Sequence, residues 1–286
     1  MDAAAKGIIM QSCCALALAA LGAACGSARA AQPGDNVVQT GWIHLLPNSS
    51  STPLHTQLEP SLIGSLAGVQ SAFDSPGTSA KVAPGDTLAL IFTHFIDNHF
   101  ALQAVGGIPA RVNIVGAGSV APTGLLGSFL KVDLGAPQNN PLVSVVEWTP
   151  AGLLQYYFGR PGGKWRPYIG AGLSYAWFSG YTLNGAFKDQ LESNFGKVLS
   201  LSTGHSGPTQ VSASASRSWN AVYNAGLSYE LSRHWGFAAS LTYGPLASTA
   251  TINLTAQDGT LLADSKSRLN QNALVTALLV NYRFHF

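Results

Sequence analysis

Two short stretches of the chain contain residues whose types and spacing could do chemistry. The stretch 203–207 reads TGHSG and places His205 beside Ser206, a pairing that suggests the base and nucleophile of a hydrolase. Adjacent residues on a loop point apart, however, no suitably placed acid lies nearby in the sequence, and no G-x-S-x-G elbow occurs. The competing interpretation is a polar surface loop, so we predict that the protein is not an enzyme.

His94, Asp97 and His99 flank a predicted turn and are of the types that coordinate metals. They fit better the role of polar substitutes for aromatic residues at the membrane interface, which is the interpretation we favour. Thiolate ligands are excluded, because all the cysteines precede the expected start of the mature chain: Cys13, Cys14 and Cys25. We therefore expect neither a metal nor a cofactor.

The chain is poor in charge. Charged residues make up 10% of the sequence, against about a quarter in typical soluble domains. The formal net charge of +2 comes from scattered residues, so there is no basic stripe for nucleic acid. A soluble surface with so few charges would be difficult to keep dissolved.

Residues 1–30 have the pattern of an export signal. Lys6 precedes an apolar run over residues 7–24, and residues 28–30 read Ala-Arg-Ala, a typical cleavage site. A membrane-anchoring helix and a lipid-modified Cys25 are the alternatives. We expect residues 31–286 to form the mature protein.

Alternation with period two runs through most of that mature chain. From Trp219 to Leu231 the apolar and aromatic residues fall on one face of a strand, and small or polar residues fall on the other. Aromatic residues bracket the aliphatic middle of each such strand. This pattern favours an outer face in lipid, flanked by aromatic girdles, over a soluble sandwich.

Lipid contact requires a closed barrel, because an open sheet edge would leave unpaired N–H and C=O groups in hydrocarbon. The sequence predicts an all-β, eight-stranded antiparallel transmembrane β-barrel with long extracellular loops carrying short helices. The predicted strands are 36–46, 85–96, 98–109, 142–159, 164–179, 217–231, 234–250 and 270–286. Short turns alternate with long segments at 47–84, 110–141, 180–216 and 251–269, which predicts that both termini are periplasmic.

Two of the long segments contain apolar residues at helical spacing. Each stripe fits a short helix packed over the barrel rim or a cap over the mouth of the lumen. The stripes are Leu58, Leu62, Leu66, Val69 and Phe73 in the first loop, and Phe187, Leu191, Phe195 and Val198 in the third.

The inward face of the predicted barrel has two parts. Arg166, Glu230 and Arg283 fall toward its periplasmic half, and since such charges cost several kcal/mol unless they are paired, we expect a network that plugs the base. Pro109, Pro150 and Pro245 mark weak points of the wall or strand ends, because each removes a ladder donor. The apolar or aromatic inward residues, which we expect to line the lumen, are Ile91, Leu153, Tyr157, Tyr168, Val222, Val275 and Leu279.

Several motifs together resemble the outer membrane protein W (OmpW) family of Gram-negative bacteria. They are KWRPYIGAGLSYAWF (164–178), TPAGLLQYYFG (149–159), AGLSYELSRHWGFAASLTY (225–243), TLALIFTHFIDNHFAL (87–102) and the ending VNYRFHF. The resemblance implies an outer-membrane barrel whose narrow lumen admits small hydrophobic solutes and releases them sideways into the membrane.

The aromatic ending of the chain, Tyr282, Phe284 and Phe286, is similar to the signal by which the barrel assembly machinery selects outer-membrane proteins. The expected partners are therefore outer-membrane lipids, small hydrophobic solutes and, during biogenesis, that machinery. An eight-stranded barrel is only just wide enough to hold a small ligand or to be filled by side chains. A structural, receptor or adhesion barrel with a filled lumen is thus the alternative.

Overall fold

A computed structural model describes residues 33–60, 70–122 and 131–285. The predicted signal, residues 1–30, lies outside the described residues. The strands are β1 (Asp35–Ser51), β2 (Leu54–Leu58), β3 (Ala72–Ser75), β4 (Ser79–Val82), β5 (Gly85–Phe95), β6 (Phe100–Gly107), β7 (Ala110–Ala117), β8 (Ser119–Val120), β9 (Val132–Asp133), β10 (Val143–Trp148), β11 (Ala151–Tyr157), β12 (Trp165–Leu183), β13 (Gln210–Ala215), β14 (Ser218–Glu230), β15 (Trp235–Thr255) and β16 (Leu261–His285). The helices are α1 (Gly185–Gln190) and α2 (Lys197–Ser202), joined by a π-helical segment (Leu191–Gly196), and a 3-10 turn covers Pro137–Asn139.

Eight of the strands close into a ring. Its order is β1, β5, β6, β11, β12, β14, β15, β16 and back to β1, and each pairing is antiparallel. The end that carries Asp35, His285 and the short turns is called the turn end below, and the opposite end the loop end. The predicted all-β class with an eight-stranded antiparallel barrel is confirmed.

The ring is apolar outside because successive strand residues face opposite sides. On β16, Leu278 is 59% exposed whereas its neighbour Leu279 is 3% exposed. Aromatic pairs mark two girdles: at the turn end Trp165–Tyr229 and Trp235–Tyr282, with centroids 4.4 and 4.9 Å apart, and at the loop end Trp148–Trp177 and Tyr175–Trp219, at 5.5 and 4.8 Å. Two such girdles around an aliphatic band fit a bilayer. Among the described residues, no helix has the length and hydrophobicity to cross a membrane.

The strands continue beyond the ring at the loop end, where the sequence predicts loops. β4, β7 and β10 add to the upper half of β12, while β13 pairs with β15 and β2 with β16. The single strand predicted over 142–159 is wrong, because it is divided into β10 and β11 at Thr149–Pro150. An apolar cluster fills this loop-end extension, including Val143, Phe187 and Leu262.

The two predicted loop helices have different outcomes. In the third loop, Phe187 and Phe195 are buried in the apolar cluster with Leu191 and Val198 packed against it, as a rim helix requires. Asn184 caps α1 by accepting from the Phe187 N–H at 3.2 Å. In the first loop the single helix is wrong: Leu58 ends β2 and Phe73 lies on β3, which pair with each other, and Leu62, Leu66 and Val69 lie outside the described residues.

Phe187→Ala is expected to lower the free energy of unfolding of the loop-end extension by about 3–5 kcal/mol, because a fully buried ring is replaced by a cavity. Native-state proteolysis in urea measures this loss. Leu201 on α2 is 62% exposed, so Leu201→Ala is the matched control, with a change below about 0.5 kcal/mol. Equal losses in the two variants would contradict the packing of α1 into the cluster.

Candidate solute pathway in the barrel lumen

A cavity of about 360 Å³ occupies the middle of the ring. Six of the seven residues predicted to line the lumen contact it: Ile91, Leu153, Tyr168, Val222, Val275 and Leu279. The seventh, Tyr157, lies below the cavity in a cluster with Val37, Phe95, Ala101 and Tyr168. Pockets that bind small molecules are typically about 300–1,000 Å³, so this one is large enough for a small solute.

Aromatic rings pack around Arg166 at the base of the lumen. Tyr157 packs against Phe95 and Tyr168, with centroids 4.9 Å apart in both cases. The Arg166 guanidinium lies 5.1 Å from the Tyr157 ring centroid and 5.7 Å from that of Phe95. It donates to the backbone carbonyl of Asn98 in the turn between β5 and β6. Arg166 is therefore held by rings and a turn, whereas the sequence predicts an ionic network.

A buried ion pair lies on the turn-end side of these rings, and the rings, Arg166 and this pair are together called the plug below. Arg283 on β16 pairs with Glu230 on β14, and its Nε lies 3.8 Å from Asp35 Oδ2 on β1. These side chains are almost completely buried. The structure thus brings two of the three predicted charges together and adds Asp35, which the sequence analysis did not single out.

A layer of amide side chains separates this base from the cavity. Gln39 Nε2 donates to Asn281 Oδ1 at 3.1 Å, and Gln155 Nε2 donates to Asn224 Oδ1 at 3.0 Å. Tyr157 Oη also donates to Gln155 Oε1 at 3.1 Å. Because these buried polar groups hydrogen-bond to one another, they fill this level of the ring without adding a charge. These amides occupy inward positions of the alternating strand pattern, and this is the signal by which the sequence could have identified them.

Glu230→Ala is expected to lower the free energy of unfolding by about 3–5 kcal/mol, because the buried positive charge of Arg283 loses its nearest negative charge. Urea unfolding in detergent or bilayer measures the change. Asp74→Ala breaks the exposed pair with His55 and is the matched control, with a change below about 1 kcal/mol. Equal stability of the Glu230 variant and the parent would contradict the plug.

Above the plug, the wall of the ring contains a gap. β6 pairs with β11 up to Val105–Ala151, and β7 pairs with β10 from Ala110–Glu147 onward. Between these pairs, residues 106–109 face residues 148–150 without ladder bonds. Four residues of one chain segment therefore stand opposite three of the other, so the register of the pairing shifts by one residue across this interval.

Two prolines make this gap compatible with lipid. Pro109 and Pro150 have no N–H, so they leave no donor unpaired in hydrocarbon. Nearby backbone groups are bonded to other strands: the Ile108 N–H donates to Leu88 O at 3.0 Å, and the Tyr175 N–H donates to Pro150 O at 3.1 Å. Gly107 has φ +129°, and an added Cβ would lie 2.4 Å from Leu88 O, so this bend requires glycine.

The larger cavity reaches the membrane side at this gap. Its lining includes residues of the outer face, namely Leu88, Ile108, Trp148 and Trp177, as well as Pro109 and Pro150. Pro245 is different. It lies within β15 opposite Asn272, just beyond Tyr243, where the pairing of β14 with β15 ends, and the outward Trp219 and Tyr243 beside it do not line the cavity.

A second cavity, of about 120 Å³, lies in the loop-end extension. Its walls are mainly apolar, with Val145, Phe178, Phe187 and Leu269 among them. The helices α1 and α2 pack beside it through the apolar cluster. The lumen therefore contains two apolar chambers, one in the extension and one in the ring.

The residues considered for metal binding have structural partners. The backbone N–H groups of Phe100 and His99 donate to Asp97 Oδ1 at 2.7 and 2.6 Å, and these bonds lower the pKa of that carboxyl below its usual value. His99 Nδ1 bonds Tyr157 O at 2.8 Å, and His94 Nδ1 bonds Asn36 Oδ1 at 2.9 Å. The described residues contain no cluster of three or more metal-ligating side chains.

His205 has acidic neighbours that the sequence analysis did not foresee. Its Nδ1 lies 3.1 Å from Asp258 Oδ2, and its Nε2 lies 3.7 Å from Glu59 Oε2. Both acids are distant from His205 in the sequence and reach it only through the fold, so they were not expected. These contacts join three loops at the surface, and no hydrogen bond between His205 and Ser206 occurs among the described residues.

The aromatic ending lies partly within the described residues. Tyr282 is exposed on the outer face at the turn-end girdle, with its ring 4.9 Å from that of Trp235. Phe284 follows on the same face, 6.5 Å from Tyr282 between centroids. Phe286 lies outside the described residues.

A closed eight-stranded ring with aromatic girdles, an apolar outer face and a chambered lumen defines a transmembrane β-barrel of the outer-membrane type. Comparisons with known proteins agree with this class. Outer membrane protein W of Vibrio cholerae serotype O1 is 29% identical over 243 residues, which is 84% of this chain and 87% of that protein. Outer membrane protein W of Escherichia coli K12 is 24% identical over 229 residues, 80% of this chain and 81% of that one.

The fold comparison gives the same class. The crystal structure of the outer membrane protein OprG from Pseudomonas aeruginosa matches with a TM-score of 0.63 and 20% identity, covering 90% of this chain and 99% of that chain. The model of the OmpW family matches residues 34–284. The chain belongs to the OmpW family, so the resemblance found in the sequence is confirmed.

Proposed function

We propose that this protein is a passive uptake channel for small hydrophobic solutes. Solutes enter at the loop end, cross the two chambers and leave through the wall gap into the membrane. The observation that carries the proposal is that one cavity is lined both by lumenal residues such as Leu279 and by outer-face residues such as Ile108. A solute in this cavity is already in contact with the position of the lipid.

The closed base supports a sideways exit. Arg166, Arg283, Glu230 and the amide layer occupy the interior of the ring on the turn-end side of the cavity. Ions and large polar solutes therefore lack a continuous aqueous path, in contrast to wide porins. In this arrangement the outer membrane is both the location of the protein and the destination of its solute.

The orientation follows from the same proposal. The short turns and both termini of the mature chain lie in the periplasm, and the loop-end extension faces the outside. Tyr282, Phe284 and Phe286 serve the barrel assembly machinery during biogenesis, and residues 1–30 direct export. No catalytic group takes part in this function.

Uptake of naphthalene by vesicles with a lipopolysaccharide outer leaflet tests the proposal. Naphthalene fluorescence reports its arrival in the inner leaflet, and vesicles with the protein are expected to fill faster than vesicles without it. The alternative, a structural, receptor or adhesion barrel with a filled lumen, draws support from the plugged base. Equal filling rates in the two kinds of vesicle would favour that alternative.

A further inference from the structure

The two chambers meet at a single polar contact. Glu147 on β10 and Gln271 on β16 line both the cavity in the extension and the cavity in the ring. Within the described part of the chain, no other residue is shared by the two linings. A solute that moves from one chamber to the other therefore passes this pair.

The pair bridges the lumen from opposite walls. In the ring, β11 is the fourth strand from β16 in either direction, and β10 continues β11 across the Thr149–Pro150 break. Gln271 Nε2 donates to Glu147 Oε2 at 3.4 Å and to Oε1 at 3.5 Å. Both residues are buried, with Glu147 6% exposed. The bond lies where the two chambers meet.

Glu147 has unused capacity to accept hydrogen bonds. A carboxylate offers about four acceptor positions, and the structure gives it one neutral amide at long distances. It forms no ion pair with any described residue, and the chamber that it lines in the extension is also lined by Val145, Phe178 and Leu269. A buried carboxylate in apolar surroundings gains most from a donor that carries positive charge.

We propose that Glu147 selects the solute, and that the preferred class is small apolar amines in their ammonium form. This inference rests on the proposed function and names the solute class of the same pathway. The ammonium group replaces the Gln271 amide at the Glu147 carboxylate, while the alkyl body lies against the apolar walls. Displacement of the amide opens the passage between the chambers, and the wall gap begins at the next residue, Trp148.

The same carboxylate disfavours anionic solutes. An alkylsulfonate of equal length would bring a second negative charge to a buried acceptor that offers no donor. A neutral alcohol is expected to have an intermediate flux, since its hydroxyl donates one uncharged hydrogen bond to the carboxylate. The order of flux expected for matched solutes is therefore ammonium, alcohol, sulfonate.

Flux of hexylammonium, hexanol and hexanesulfonate into lipopolysaccharide-bearing vesicles tests the proposal on the full mature chain at about pH 9, where both the amine and the Glu147 carboxyl carry their charges. Glu147→Gln keeps the shape and a bridging hydrogen bond but removes the charge. It is expected to reduce the ratio of ammonium to sulfonate flux about tenfold, which corresponds to about 1.4 kcal/mol. Hexanol flux in the same vesicles shows that the pathway is still open, and the shift in mobility on heating before gel electrophoresis confirms folding.

Asp74→Asn is the matched control, because it removes the same charge from an exposed position outside both cavities. It is expected to keep the parental ratio of ammonium to sulfonate flux. Because lipopolysaccharide attracts cations equally in all these vesicles, this attraction does not change the comparison between variants. If hexanol passes through both the parent and the Glu147→Gln variant, but the two have the same ratio of ammonium to sulfonate flux, this inference alone is overturned. Absence of hexanol flux above that of protein-free vesicles would overturn the proposed function and this inference with it.

Discussion

Gly106→Trp is expected to reduce naphthalene flux to that of vesicles without the protein. Gly106 lies at the edge of the wall gap and lines the larger cavity. An added Cβ would meet only Leu90 O, at 3.7 Å, so the backbone tolerates a side chain there. The indole then occupies the space between residues 106–109 and 148–150, through which the solute would leave.

Gly152→Trp is the matched control for this variant. Gly152 is exposed on the neighbouring strand β11, an added Cβ would meet nothing within 4 Å, and the residue does not line the cavity. Its variant is expected to keep the parental flux. Parental flux in both variants would place the exit elsewhere in the wall, and loss of flux in both would indicate a general effect of bulk on the outer face.

Leu279→Asp is expected to abolish naphthalene flux while leaving a folded barrel. Leu279 is packed with Ile91 and Ala238 on the inner face and lines the larger cavity. A carboxylate there holds water in the chamber, and an apolar solute would have to displace that water. Flux and the mobility shift on heating are measured on the same preparation.

Val222→Asp repeats the test from a different strand of the wall, β14. Leu279→Ile is the shape control and is expected to retain flux, because hydrophobic volume is conserved. Folded aspartate variants with parental flux would contradict a lumenal route. Loss of folding in both would assign these residues to the structural core.

The ring could be predicted from the sequence because lipid imposes a strict rule on each strand. A residue such as Leu278 must be apolar while its neighbour Leu279 faces the lumen, so alternation alone indicates the strands and their inner faces. The inward positions of Glu230 and Arg283 follow from the same register, and the structure pairs these two.

Contacts between distant segments could not be predicted in this way. Arg166 binds the carbonyl of Asn98, a backbone group that carries no sequence signal. Pro109 and Pro150 were recognisable as weak points, but the gap depends on the register between β6 and β11, which the local pattern does not fix. Glu147 and Gln271 meet across the lumen from positions 124 residues apart.

The loop-end extension was predicted as loops for a related reason. Segments rich in Gly, Ser and Thr resemble loops when they are considered alone, and β-propensity depends strongly on the neighbouring strands. In the extension, β13 pairs with β15 and β2 pairs with β16. Both β15 and β16 are strands of the ring that continue beyond it, so they provide a ready edge for pairing. The tertiary context, more than the local sequence, makes these segments strands.

Photolabelling of the barrel in native outer membranes with a diazirine-bearing alkane tests the lumenal route most directly. Leu279 faces the cavity, while its neighbours Leu278 and Val280 face outward, so one strand provides both the test and the control. We predict labelling of Leu279 and Ile91 that an excess of unlabelled alkane suppresses. Labelling confined to Leu278, Val280 and other outer-face residues would contradict the account.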